Sequence, residues 1–174
     1  MIPEEWEKPE NQSKLAQKDI DADWTKKNGE RHFGYKDHVK CDADSKLITN
    51  YSVTSASVHD SQRCLVFIGQ EDEVLYADSA YSGKPIALAL PDSCENQICE
   101  KGYRNSPLTS EQKMNNRRKS RIRCHIEHIF GFMTGAMHGI TVRSIGIIRA
   151  WMNIGITNLV YNFCRYSYLK RASA

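Results

Sequence analysis

Two runs rich in aromatic and β-branched residues, Arg31 to Cys41 (RHFGYKDHVKC) and Lys46 to Ser55 (KLITNYSVTS), flank the polar turn Asp42-Ala43-Asp44-Ser45. This pattern predicts a β-hairpin, and a hairpin of that length needs cover for its apolar face. The segments that follow supply candidates. Ser61 to Ile68 reads as a short helix capped by Asp60 or Ser61. Glu73 to Ala77 (EVLYA) is an apolar run ending at Asp78 and the loop Ser79-Ala80-Tyr81-Ser82-Gly83, as when a strand feeds a loop. Pro85 to Leu90 predicts another short helix and Asn96 to Glu100 another brief strand.

Beyond Lys101 the chain turns polar and basic, with Pro107 and a capping sequence, Thr109-Ser110-Glu111, ahead of a helical segment. Ile122, Ile126, Ile129 and Met133 then recur at helical spacing, so a single stripe is expected there. A link containing Gly131, Gly135 and Gly139 leads to a last helix over Ser144 to Lys170, with Ile148, Met152, Leu159, Val160 and Phe163 as its packing residues. The apolar stretch Trp151 to Phe163 is interrupted by Asn153, Asn158 and Asn162 and is too short to span a bilayer, which argues for a core helix and against a membrane partner. Met1 to Gly29, polar and carrying Pro3 and Pro9, is expected to be an arm without a core. The element order gives an α/β unit with mixed sheet character.

Charge is divided along the chain. Residues 1 to 100 hold 11 Lys and Arg against 19 Asp and Glu, whereas residues 101 to 174 hold 13 against 2. The basic half suits an anionic partner such as nucleic acid, whose counterions are released when phosphates are neutralised; a solvated basic face reads equally well from charge alone. The six cysteines are scattered without paired CxxC spacings, so neither a disulfide framework nor a zinc site is expected. No secretory signal opens the chain, and a reducing cytoplasm is the expected compartment.

Two carboxylates stand out. Asp78 lies where an apolar strand gives way to a Ser- and Gly-containing loop, a place where sheet-based enzymes put catalytic groups. Glu127 sits on the Ile126/Ile129 helix, one turn beyond Arg123. Each also has a purely structural reading, a loop-capping Asp and a surface ion pair, and the residues alone leave both open. His59, His125 and His128 could be read as metal ligands or general bases, but structural or helix-orienting roles are the commoner reading for each.

In combination these segments do more. Tyr76-Ala77-Asp78-Ser79-Ala80-Tyr81-Ser82-Gly83, followed by Arg121-x-Arg123-x-x-x-Glu127-His128-x-Phe130, resembles the DDE transposases of bacterial insertion sequences, of the insertion-sequence-five and insertion-sequence-four types. Lys26-Lys27-Asn28-Gly29, His32-Phe33-Gly34-Tyr35-Lys36-Asp37-His38 and Ala56-Ser57-Val58-His59-Asp60 strengthen the resemblance, which covers nearly the whole chain. It implies an RNase H-like mixed sheet flanked by helices over residues 30–174, with residues 1–29 as a polar arm or insert. It also implies Mg²⁺- or Mn²⁺-dependent DNA cleavage and strand transfer, with Asp78 and Glu127 as catalytic metal ligands. Arg123 would face the phosphate or orient Glu127, while the neighbouring Arg121, Lys119 and Arg118 read either as phosphate or DNA contacts or as a solvated basic surface. The partners implied are double-stranded DNA and a further transposase chain, either a second copy or a full-length one, in the bacterial cytoplasm near the nucleoid.

Two departures qualify that picture. The family has a tyrosine three residues before the arginine and a lysine seven after the glutamate, where this chain has Ser120 and Thr134. The family's first catalytic aspartate lies on the central first strand, ahead of an acidic polar insert that Met1-Ile2-Pro3-Glu4-Glu5-Trp6 already resembles. The sheet is therefore expected to lack that strand, leaving Arg31 to Cys41 with an unpaired edge and the isolated chain impaired; a non-catalytic DNA-binding or dimerising fragment is the alternative. Asp19, Asp21 and Asp23 are the nearest substitutes for the lost carboxylate, but Lys18 to Trp24 lacks the apolar alternation of a buried strand.

Overall fold

The computed structural model describes residues 4–27, 29–139 and 141–173, without the side chains of Ser61 and Lys84. Met1 to Pro3 of the arm and Asn28 of the hairpin-entry motif lie outside the described residues. The expected hairpin is present as β2 (Glu30–Cys41) and β3 (Ile48–Ser55), antiparallel with Asp37 opposite Val53 and Val39 opposite Tyr51. Strand alternation splits β2 into two faces. Lys36, His38 and Lys40 point to one side, towards α2 (Ser61–Phe67): Lys36 donates to the Val58 carbonyl at 2.8 Å, and Lys40 donates to the Phe67 carbonyl at 3.0 Å and pairs with Asp72. Tyr35, Asp37, Val39 and Cys41 take the other side, under α5 (His125–Gly135) and α6 (Ile147–Ala172).

The arm is more ordered than its composition suggests. Helical turns at Glu4–Trp6 and Pro9–Asn11 and a short α1 (Gln12–Ala16) bury no residue, as expected. Asp23–Lys27, however, forms β1, which pairs antiparallel with Glu30–Gly34 of β2. The alternation was invisible because β1 is exposed on both faces and draws its stability from ladder hydrogen bonds and the Trp24–Phe33 ring contact at 5.2 Å. The aspartates before it have a structural task. Asp19 accepts from Gly146 N at 3.2 Å and from the Tyr35 hydroxyl at 2.6 Å, and Asp21 accepts from Ile147 N at 3.0 Å. They satisfy the first amides of α6, where Gly146 has φ +97° and no side chain to offer. Burial raises the Asp19 pKa, but the bonds from Tyr35, Gly146, Asp21 and Ala22 outweigh it and hold the carboxyl below its usual range.

The remaining elements form a second unit. Strand β4 (Val74–Leu75) pairs in parallel with β5 (Glu95–Asn96), and the ladder continues through Cys99 N to Ala77 O at 3.0 Å. Helix α3 (Lys84–Ala89) and α2 close over it around Cys64, Ile86 and Ile98. The mixed α/β character is as expected, but the strands form a three-stranded antiparallel sheet, β1-β2-β3, and a separate parallel pair, β4-β5. Among the described residues, Tyr35–Cys41 of β2 pairs only with β3. Asp60 occupies the position before α2 without a capping bond, because its carboxylate is turned to Lys36 at 3.5 Å and His38 at 3.6 Å.

The main core lies between the hairpin and the last two helices: Ile48, Ile129, Met133 and Tyr161, flanked by Val39, Cys41, Tyr51 and Ile126. The stripe expected from Ile122 to Met133 is interrupted. Helix α4 (Ser110–Arg123) ends at Cys124 and α5 begins at His125, so Ile122 falls outside that core cluster. Helix α6 corrects a second expectation. Its core face is Ala150, Ile154, Asn158 and Tyr161, while Ile148, Met152, Leu159, Val160 and Phe163 are exposed. The approach of α6 to β3 selects that face: a Cβ on Gly155 would lie 2.2 Å from the Tyr51 hydroxyl, so only glycine fits there. The end of the helix grips the hairpin turn, with Asn162 bonding both N and O of Ile48 at 2.8 Å and Arg165 donating to the Ser45 carbonyl at 2.7 Å.

Candidate functional site

Asp78 is exposed at the carboxyl end of the β4 ladder and caps the helical turn Ser79–Tyr81, accepting from Ser79 N. The loop is anchored by Ala77 and Tyr81, both packed against the Cys64/Ile86/Ile98 cluster. Burial, with the nearby charges of Asp60, Cys64 and Asp78, pushes the Tyr81 phenol up to about 12. It therefore stays a neutral hydrogen-bonding group beside the carboxylate. Thus the loop-capping role and an accessible carboxylate coexist at one residue.

Glu127 lies in the first turn of α5, exposed, with Oε1 accepting from Arg123 Nη2 at 2.9 Å. Arg123 is the last residue of α4, so the pair bridges the break at Cys124. An exposed pair of this kind adds a few tenths of a kcal/mol at most, and its main effect is to hold the Glu127 carboxylate in one orientation. The neighbouring histidines serve the hairpin turn: His125 Nδ1 contacts the Ala43 carbonyl at 2.8 Å and His128 Nδ1 contacts Lys46 Nζ at 3.4 Å. His38, buried against Thr54 at 2.7 Å, has its pKa lowered by burial despite Asp60.

The basic residues of α4 divide by face. A Thr109/Gln112 capping box starts the helix. Lys119 turns inward and donates to the Ile98 carbonyl at 3.0 Å, while Asn116 bonds both N and O of Glu100 at 2.9 Å. Arg121 instead lines a shallow hollow of about 520 Å³ with Lys113, Arg117, Asn116 and Ser120, and Arg118 is exposed. Lys113 and Arg117 were not singled out in the sequence, although their spacing with Arg121 (i, i+4, i+8) is the signal that places them on one helix face.

Carboxylate oxygens are suitable donors for Mg²⁺ or Mn²⁺. Yet among the described residues no three His, Cys, Asp or Glu side chains stand close enough to share an ion. The described residues therefore do not by themselves make a complete metal site. All six cysteines are free thiols, as expected. Among the described residues no helix is long and apolar enough to cross a membrane.

A transposase for insertion sequence element IS1106 from Neisseria meningitidis serogroup B is 32% identical over 117 residues, which is 66% of this chain and 40% of that relative. The chain thus spans about two fifths of the relative's length. No solved structure matches. The profile of the family described as "Transposase DDE domain" matches residues 5–163, and the chain belongs to that family.

Proposed function

We propose that this chain is part of the catalytic region of an insertion-sequence transposase, with an RNase H-like sheet, and that it acts on double-stranded DNA. Asp78 and Glu127 supply two of the carboxylates that hold Mg²⁺ or Mn²⁺ for strand cleavage and transfer. The observation that carries this reading is Asp78, an exposed carboxylate at the carboxyl end of a parallel strand in a chain of the transposase DDE family. Residues 30–174 form the catalytic unit, and the arm over 1–29 is stitched to it by β1 and by the Asp19 and Asp21 caps.

A bound divalent ion would supply activation of the attacking oxygen and charge stabilisation of the leaving one. The chain's own residues do the rest. Arg123 orients Glu127, and Lys113, Arg117 and Arg121 hold the phosphodiester backbone electrostatically. With no cluster of three such side chains among the described residues, the chain by itself is expected to cleave slowly. Among the described residues the edge of β2 over Tyr35–Cys41 carries no second partner, and it is the edge at which an RNase H-like sheet would take a further strand.

A second reading, DNA binding without cleavage by this chain, is favoured by the basic hollow on α4. Plasmid nicking in Mn²⁺, read beside duplex DNA binding over a salt series, separates the two. The catalytic reading expects salt-sensitive binding and slow nicking that either Asp78→Asn or Glu127→Gln abolishes. Binding without nicking selects the second reading, and the absence of both overturns each of them.

A further inference from the structure

Helix α6 is apolar on two opposite faces. Ala150, Ile154, Asn158 and Tyr161 face the core. About half a turn round, Ile148, Met152, Ile156, Leu159, Phe163 and Tyr166 form a second stripe, each exposing more than half of its surface. A helix that is apolar all round is normally buried all round. The stripe runs for about 27 Å at 1.5 Å per residue, long enough to be an interface seam.

We propose that this stripe is the interface between two copies of the chain, with the two α6 helices packed antiparallel about a twofold axis. The stripe is complementary to its own reverse. Turned end for end, Ile148 meets Tyr166, Met152 meets Phe163 and Ile156 meets Leu159, so aliphatic side chains face aromatic ones at both ends and aliphatic ones meet at the centre. Such self-complementarity is what an isologous contact requires.

Charge selects the same orientation. Asp19 and Asp21 cap the amino end of α6, and Lys170 and Arg171 occupy its last turn. Antiparallel packing brings Lys170 and Arg171 of each helix to the end of the other that carries Asp19 and Asp21 beside Arg149, whereas parallel packing would set Lys170 and Arg171 against their own copies. The area is adequate too. At roughly 100 Å² removed from water per large apolar side chain, the six residues contribute about 600 Å² per protomer. Ile145 and Val160, exposed beside them, extend the seam towards the ~800 Å² per partner of a stable interface.

Sedimentation of the purified chain at tens of micromolar tests this without reference to DNA cleavage, so its failure and that of the proposed function are distinguishable. A dimer is expected. Met152→Glu and Phe163→Lys, each on an exposed position, should separately give folded monomers with unchanged far-UV circular dichroism. The double variant should regain the dimer, because residue 152 faces residue 163 of the other copy only in the antiparallel register. A monomeric wild-type chain would overturn the proposal, as would a dimer indifferent to both single changes. Loss of the dimer in the single variants without recovery in the double would overturn the antiparallel arrangement.

Discussion

Asp37 offers a quantitative test of the packing between the hairpin and α6. It sits on the core side of β2, where Oδ1 accepts from Asn158 Nδ2 at 3.3 Å, while its Oδ2 and Asn158 Oδ1 are buried without a hydrogen-bond partner. Two acceptor oxygens left over on adjacent side chains are stabilised by one proton between them, and burial raises the Asp37 pKa to about 6 despite the Asn158 bond. The groups around it do not reverse this. Tyr51 on β3 is an uncharged phenol whose own pKa is raised, and the next side chain along the face, Tyr35, is engaged by Asp19.

Because the folded-state value lies above the unfolded one of 3.8, the folded chain holds the proton over a range where the unfolded chain has lost it. The contribution is complete below about pH 4 and is lost as pH rises through about 6. A shift of about two units corresponds to roughly 3 kcal/mol. Asp37→Asn replaces the acid with an amide that can donate to Asn158 Oδ1 and accept from Asn158 Nδ2 without titrating. Urea unfolding followed by circular dichroism should find the variant close to wild type near pH 3.5 and more stable by ~2–3 kcal/mol at pH 8. Acid-side losses from Asp19 and Asp42, whose values are lowered, occur in both proteins and cancel in the difference. A wild-type-minus-variant difference that stays flat from pH 3.5 to 8 would refute the shared-proton account.

Other perturbations address the remaining contacts. Gly155→Ala should lower stability by ~1–3 kcal/mol in thermal unfolding, because its Cβ would meet Tyr51 Oη at 2.2 Å, and Tyr51→Phe in the same chain should recover part of the loss. Asn162→Ala strands the N and O of Ile48 and should cost about 1–2 kcal/mol in urea unfolding. In DNA binding followed by fluorescence anisotropy, Arg117→Ala and Arg121→Ala should each reduce the salt slope by about one. Lys119→Ala should leave that slope unchanged and appear instead as a stability loss of ~1 kcal/mol, since its ammonium serves the Ile98 carbonyl.

Much of the site was legible because its signals are local. The hairpin, the strand ending at Asp78, the Thr109 cap and the Arg123/Glu127 spacing each depend on neighbours within a few residues, and each element formed as read. From sequence Lys119 reads as a phosphate contact or part of a solvated basic surface, and a basic run on a helix does not say which member also turns inward. The Ile98 carbonyl that draws it in lies 21 residues away.

By itself, then, the sequence determined the α/β class, the hairpin about its polar turn and the family. Only the tertiary structure decided the use of Asp19 and Asp21, whose partners at Gly146 and Ile147 lie 127 and 126 residues along the chain. It also decided which face of α6 is the core. Helical period locates an apolar stripe by contrast with a polar one, and α6 has apolar residues on both sides. The choice fell where Gly155 and Trp151 approach Tyr51, and that left the Ile148-to-Tyr166 face exposed.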